Sequence, residues 1–130
     1  MTPVRLDADA PTTALTEVCR LDDLSMERGT TALVGREQVA LFRTIDDVVY
    51  AVQQRDPYCG ANVMSRGIVG SRGDIPTVAS PMYKQVFDLR TGECLDPLGK
   101  EPRSLLTYFV TVRDQAVLVG NVLPGHQDAR

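Results

Sequence analysis

The sequence predicts an all-β fold, an antiparallel sandwich or small barrel with one inserted loop-rich lobe. Apolar side chains alternate between two faces along residues 105–112, which is the period of two expected of a strand. Short β-rich runs separated by turn residues come before it, and no segment keeps the period that a helix needs. A chain of 130 residues can bury a core as a single domain without disulfides or metal.

The strands are predicted from short runs of β-branched, aromatic and aliphatic residues. Three of these runs are separated only by the turn signals Gly35-Arg36 and Asp46-Asp47, which predicts an antiparallel meander. A later turn at residues 90–92 follows another short run. The predicted strands cover residues 16–19, 31–34, 38–44, 48–52, 85–89, 105–112 and 116–119.

The middle of the chain, residues 56–81, breaks this pattern. Glycines and prolines recur throughout it, so regular structure is not expected across most of its length. A loop this long in a small domain is usually functional or disordered. The predicted organisation is therefore a flexible N-terminal arm at 1–14, a domain at 15–121 with its loop lobe at about 55–95, and a flexible tail at 122–130.

Composition limits the classes of function. Fourteen basic residues against 17 acidic ones give a net charge of −3 and no evident basic face, so nucleic acid is not an expected partner. No apolar run approaches the roughly 20 residues that span a bilayer, and no signal peptide is recognisable. We therefore expect a cytoplasmic protein. Its three cysteines are odd in number and widely spaced, which does not indicate a disulfide framework.

Two stretches of the lobe carry a resemblance to a known family. Residues 56–61, DPYCGA, and residues 80–93, SPMYKQVFDLRTGE, look like the two ligand loops of a Rieske [2Fe–2S] domain. In that family the loops read roughly Cys-Pro-His-x-Gly-Ala and Cys-Pro-x-His, the second leading into a Phe-Asp-x-x-Thr-Gly hairpin. The similarity runs from about residue 18 to residue 120, and it implies a Rieske-like fold.

The chain departs from this family at the ligand positions. By resemblance, Asp56 and Tyr58 stand at the first cysteine and histidine positions, and Ser80 and Tyr83 stand at the second pair. A Rieske centre needs two thiolates and two imidazoles, but the only histidine of this chain is His126, in the predicted tail. We therefore expect vestigial ligand loops, and no catalytic, cofactor-binding or metal residues in this chain.

Without a metal, side chains would have to hold the two loops together. We expect the rings of Tyr58 and Tyr83 to fill the volume of the cluster, and Asp56 and Ser80 to hydrogen-bond to phenol or backbone groups. The alternative is that these four are ordinary loop residues that never meet. Cys59 is expected to be an inert or partly exposed thiol, with metal ligation or redox reactivity as alternatives.

A Rieske-like domain with these four residues at its ligand positions is similar to the small-subunit family of soluble bacterial NAD(P)H-dependent nitrite reductases. The resemblance implies a large-subunit partner that carries FAD, a [4Fe–4S] cluster and sirohaem and reduces nitrite to ammonium in nitrate assimilation. It implies a non-catalytic, accessory role for this chain.

Exposed loop side chains would suit docking to such a partner. The candidate partner contacts are Met64, Arg66, Met82 and Lys84, with loop packing as the alternative for the two methionines and solvated loop charges as the alternative for the two basic residues. Two other functions are alternatives: a Rieske-type ferredoxin that carries electrons, and a β-barrel protein-binding module of unrelated function.

Overall fold

The computed structural model describes residues 15–124, so the predicted arm at 1–14 and residues 125–130, including His126, lie outside the described residues. Two single-turn 3-10 helices occupy Leu21–Asp23 and Met64–Arg66. None of the helices in the described range is long and apolar enough to cross a membrane. The strands are β1 (Thr16–Arg20), β2 (Arg28–Val34), β3 (Glu37–Arg43), β4 (Val49–Gln53), β5 (Ile68–Arg72), β6 (Ile75–Ala79), β7 (Val86–Asp88), β8 (Cys94–Asp96), β9 (Thr107–Arg113) and β10 (Ala116–Val122).

The larger sheet is a six-stranded antiparallel sheet in the order β1-β10-β9-β4-β3-β2. Its two edge strands, β1 and β2, also contact one another, so the sheet nearly closes into a barrel. The predicted meander is confirmed as β2–β3–β4, with Gly35 in the left-handed region (φ 63°) at the first turn. The all-β prediction is confirmed, and β10 continues to Val122, one residue into the predicted tail.

The predicted loop-rich lobe contains a second, four-stranded antiparallel sheet in the order β5-β6-β7-β8. The expectation of mostly irregular structure was therefore wrong for residues 68–79, which form the hairpin β5–β6. Gly73 (φ 59°) makes the turn of this hairpin. Pro76 is only the second residue of β6, and its carbonyl still accepts a hydrogen bond from the Leu89 N–H (2.9 Å). Proline is tolerated there because it is close to the start of the strand.

Two apolar clusters form the core, and β3 contributes to both of them. Val39 and Leu41 belong to a cluster within the barrel strands, whereas Ala40 and Phe42 face a cluster shared with the lobe. Because both faces of β3 are covered, its sequence reads as a continuous apolar run instead of an alternating one. The shared cluster, which fastens the lobe to the barrel, contains Ala40, Phe42, Val52, Met64, Val78, Phe87, Leu89, Cys94 and Leu105.

A polar junction lies beside this shared cluster. The amide of the buried Gln54 donates to the hydroxyls of Thr31 (2.7 Å) and Ser65 (2.9 Å), and its oxygen accepts the Ser65 N–H (2.7 Å). The turn Met64–Arg66 therefore lies against β2. A Cβ atom on Gly29 would be 2.2 Å from the Ser65 carbonyl oxygen, so only glycine permits this close approach.

Candidate functional site

The two ligand-like loops meet through a pair of fully buried side chains. The Ser80 hydroxyl donates a hydrogen bond to Oδ2 of Asp56, and both residues are completely shielded from solvent. The other carboxylate oxygen of Asp56 accepts the backbone N–H of Tyr58 (2.8 Å) and, at longer range, that of Cys59 (3.4 Å). The Ser80 hydroxyl in turn accepts the Met82 N–H (3.1 Å). Asp56 and Ser80 thus lie together and join the two loops.

Each loop is also closed by its own backbone hydrogen bonds. In the first loop the Asp56 carbonyl accepts the Gly60 N–H (2.8 Å), and Gly60 adopts φ 82°. In the second, the Ser80 carbonyl accepts the Lys84 N–H (3.1 Å), and Lys84 adopts φ 70°. Lys84 is thus a non-glycine residue in the left-handed region, a conformation that costs about 1–2 kcal/mol and that the Ser80 contacts stabilise.

Tyr58 is held on both its ring and its hydroxyl. The ring packs against Phe87 with centroids 6.3 Å apart. The hydroxyl donates to the Glu101 carbonyl (2.8 Å) and accepts the Arg103 N–H (2.8 Å), and Cys94 Sγ lies 3.5 Å away. Burial, together with the Cys94 contact, raises the pKa of Tyr58 to about 12.

The second tyrosine does not match the sequence expectation. Tyr83 is 52% exposed, so the prediction that both rings fill the volume of a cluster was wrong for this residue. Its neighbour Met82 is similarly exposed at 51%. The loop turns outwards at these two residues because Ser80, not Tyr83, provides the buried contact to the first loop.

The candidate partner contacts separate into exposed and buried residues. Met64 is fully buried in the cluster between lobe and barrel, so its assignment as a partner contact was wrong. Its place on the turn Met64–Arg66, which packs against β2, directs it into the core. Arg66, Met82 and Lys84 are exposed, and their role as contacts stays a prediction.

The hairpin after β7 ties the second loop to the barrel. Arg90 binds the buried Asp88 carboxylate through its backbone N–H (2.8 Å), Nε (3.1 Å) and Nη2 (2.9 Å). Burial pushes the pKa of Asp88 upwards, but these hydrogen bonds outweigh it and hold the pKa below its ordinary value. The carbonyl of Gly92 (φ 81°) then accepts a hydrogen bond from the Leu105 N–H (2.8 Å). The Phe-Asp-x-x-Thr-Gly pattern therefore encodes a structural turn.

The donor groups of these loops do not fit a Rieske cluster. The side chains of Asp56 and Ser80 are bonded to each other, and the Tyr58 hydroxyl is bonded to backbone of residues 101 and 103. Cys59 is partly buried, and its sulfur accepts only a long hydrogen bond from the Ala61 N–H (3.5 Å). Between residues 15 and 124, no group of three His, Cys, Asp or Glu side chains is arranged to hold a metal ion. Carboxylate, phenol and hydroxyl groups are poor ligands for iron–sulfur clusters.

A cavity of ≈ 440 Å³ beside the first loop was not predicted. Arg55 and Arg103 line it, and each donates one hydrogen bond to a carbonyl of that loop, from Arg55 Nε to Gly60 (3.3 Å) and from Arg103 Nη1 to Pro57 (3.4 Å). These two arginines lie far apart along the chain, so no local pattern could have joined them. The cavity is lined by Glu37, Gln38, Gln53, Gln54, Arg55, Pro57, Asn62, Arg103, Leu106 and Tyr108.

The barrel with its lobe of paired loops defines a class of protein. Residues 14–120 match the family described as a Rieske-like [2Fe-2S] domain. An Escherichia coli K12 protein named nitrite reductase (NADH) small subunit is 38% identical over 102 residues, which are 78% of this chain and 92% of that protein.

A solved structure from Mycobacterium tuberculosis, described as a candidate NADH-dependent nitrite reductase small subunit, is 42% identical with a TM-score of 0.75. The match covers 85% of this chain and 96% of that one. The chain thus belongs to the nitrite reductase small-subunit family of Rieske-like domains.

One similar protein is much longer than this chain. A Klebsiella oxytoca protein named nitrite reductase [NAD(P)H] large subunit is 41% identical over 104 residues, which are 80% of this chain. The matched segment spans only 10% of the length of that protein. A large-subunit sequence therefore contains a segment similar to most of this chain.

Proposed function

We propose that this chain is the non-catalytic accessory small subunit of a cytoplasmic NAD(P)H-dependent nitrite reductase. It supports the reduction of nitrite to ammonium by a large subunit that carries FAD, a [4Fe–4S] cluster and sirohaem. The chain itself carries no cofactor. The observation that carries this proposal is the buried contact between Ser80 and Asp56, which uses up two of the four ligand-like positions in a side-chain hydrogen bond.

Similarity to named subunits supports the choice of partner. The E. coli small subunit is covered almost completely, which is what a chain with the same role would show. In the Klebsiella large subunit a similar segment is part of the same polypeptide, which supports a direct physical association between the two parts. The ferredoxin alternative requires two imidazole and two thiolate donors, whereas these loops contain one cysteine, Cys59, and no histidine.

The first prediction is that the full chain captures a sirohaem-bearing protein. A tagged chain is co-expressed with the large subunit of the same bacterium during growth on nitrate, and the purified material is examined by optical spectroscopy. We expect the sirohaem bands to co-purify with the chain, and the chain purified alone to be colourless.

The control is the same tag on an unrelated β-barrel protein expressed under identical conditions. Failure to retain the large subunit above this control would remove the accessory-subunit proposal. If the isolated chain instead showed the visible absorption of a [2Fe–2S] centre with bound iron and sulfide, an electron carrier would be the better assignment.

A further inference from the structure

The Arg55–Arg103 cavity presents two guanidinium groups that are held in place but mostly unsatisfied. A guanidinium has five N–H donors, and each of these uses one of them on a carbonyl of the first loop. Neither makes an ion pair within 4.0 Å with any carboxylate in residues 15–124. Both side chains are exposed. No carboxylate of residues 15–124 uses the remaining donors.

The one carboxylate in the cavity lining is bonded to another lining residue. Glu37 accepts the hydroxyl of Tyr108 (3.1 Å), which is itself buried. Desolvation first, and the neighbouring Glu37 second, raise the pKa of Tyr108 to about 12, so that the phenol stays a donor. The cavity lining contains two arginines and one carboxylate, which is hydrogen-bonded to Tyr108. The local charge of the cavity is therefore positive, although the chain as a whole has a net charge of −3.

We propose that this cavity binds an acidic side chain of the large-subunit partner, an inference that rests on the proposed function. A planar guanidinium can bind a carboxylate through two parallel hydrogen bonds, and the loop carbonyls orient both guanidinium groups before the partner binds. Asn62, which also lines the cavity, adds an amide that can complete the contact. The cavity therefore fixes how the partner is oriented on the first loop.

A protein carboxylate suits this site better than a free anion. Because both arginines are exposed, a free anion would be screened by salt and would gain little from either charge. A carboxylate carried by a docked subunit is already positioned, and the surrounding interface removes its water. Charge-assisted contacts of this kind are the ones that change affinity most when one partner is removed.

The test measures affinity between purified chain and large subunit at low salt. We expect the double variant R55Q/R103Q to bind about tenfold or more weakly, which corresponds to losing about one charge-assisted contact. R55K/R103K keeps the charge but not the fork, and we expect it to recover part of the loss. The matched control R20Q/R113Q removes two exposed arginines that do not line the cavity, and we expect affinity within about twofold of wild type. Circular dichroism melts verify that each variant is folded.

Each alternative result has a distinct meaning. Equal weakening in R55Q/R103Q and R20Q/R113Q, or a lysine variant as weak as the glutamine variant, would overturn the inference. If the wild-type chain binds the large subunit and R55Q/R103Q binds it equally well, this inference is overturned but the proposed function is not. Wild type that does not bind at all removes the proposed function as well. Saturable binding of sodium acetate to the isolated chain, lost in R55Q/R103Q, would assign the cavity to a free anion instead.

Discussion

At the scale of single residues, Ser80 and Asp56 determine how the two loops are joined. A carboxylate without solvent is stable only when hydrogen-bond donors surround it, and here one of the donors comes from the opposite loop. Metal bonds in small metallodomains make a comparable connection and contribute to their folding energy. In this chain the connection is made by a hydroxyl and a carboxylate.

Replacing the hydroxyl tests this connection. We expect Ser80→Ala to lower the free energy of unfolding by about 1–3 kcal/mol, because it leaves a buried carboxylate oxygen without its donor. The measurement is urea denaturation followed by circular dichroism. Ser71→Ala, on the exposed edge strand β5, is the control and is expected to change stability by about 0.5 kcal/mol or less. Equal stability of both variants would mean that the loops do not depend on the contact.

At the scale of elements, the turn from Asp88 to Gly92 anchors the second sheet to the chain segment that leads into β9. A Cβ atom at Gly92 would lie 2.0 Å from the Leu105 carbonyl oxygen. Gly99 has a similar backbone angle, φ 87° against 81°, but nothing lies within 4 Å of its Cβ position. Comparing alanine substitutions at these two glycines therefore separates the free-energy cost of the backbone conformation from the cost of a close contact.

This pair gives a prediction with its own control. Gly99→Ala should cost about 1–2 kcal/mol, the cost of placing a side chain in the left-handed region. Gly92→Ala should cost at least about 2 kcal/mol more, because the backbone of Leu105 must also move and its hydrogen bond to Gly92 is distorted. Thermal and urea unfolding of both variants provide the comparison. Similar losses in the two variants would show that the close approach to Leu105 is unimportant.

Local patterns predicted the barrel strands and the lobe strand β7 well, but they missed the lobe hairpin β5–β6. The β9 segment was recognisable from the period of two in its residue types, although its burial falls from Thr107 to Arg113 without alternating, and β3 was recognisable because it is apolar on both faces. In β5, Gly70 and Ser71 lie on an exposed edge and bury almost nothing, so their sequence carries no periodic signal. Pairing with β6, not the residues of β5 themselves, makes this segment a strand.

At the scale of the whole molecule, the lobe and the barrel share one apolar cluster and one polar junction. Phe42 from the barrel and Phe87 from the lobe are both fully buried in that cluster, and burying each aromatic contributes about 1.5–3 kcal/mol. Gln54 adds directional contacts to Thr31 and Ser65. Both kinds of contact hold the two ligand-like loops in a fixed position relative to the barrel.

Loss of the junction should loosen the lobe. Gln54→Ala removes three hydrogen bonds and leaves the Ser65 N–H without its partner, so we expect a loss of about 2–3 kcal/mol. Hydrogen exchange should accelerate first at the turn Met64–Arg66. The exposed Gln38→Ala is the control and should leave exchange unchanged. If hydrogen exchange in Gln54→Ala accelerated uniformly across the barrel, Gln54 would not act as a separate junction between lobe and barrel.

The candidate site shows the same division between local and distant information. Asp56 and Ser80 could be selected from the sequence because each lies next to a proline in a recognisable loop. The exposure of Tyr83 and the placement of Arg55 and Arg103 around one cavity depend on how distant segments pack, which no short motif records. Met64 was misassigned for the same reason, since its burial comes from contacts with both sheets.

The buried hydrogen bond between Ser80 and Asp56 has a consequence for how the protein matures. These two side chains form their hydrogen bond when the polypeptide folds, and the bond itself requires no iron, sulfide or assembly machinery. Under the proposed function, these positions hold no inorganic centre for oxygen to attack. The same proposal implies that the chain reaches its folded state even in a cell that is short of iron.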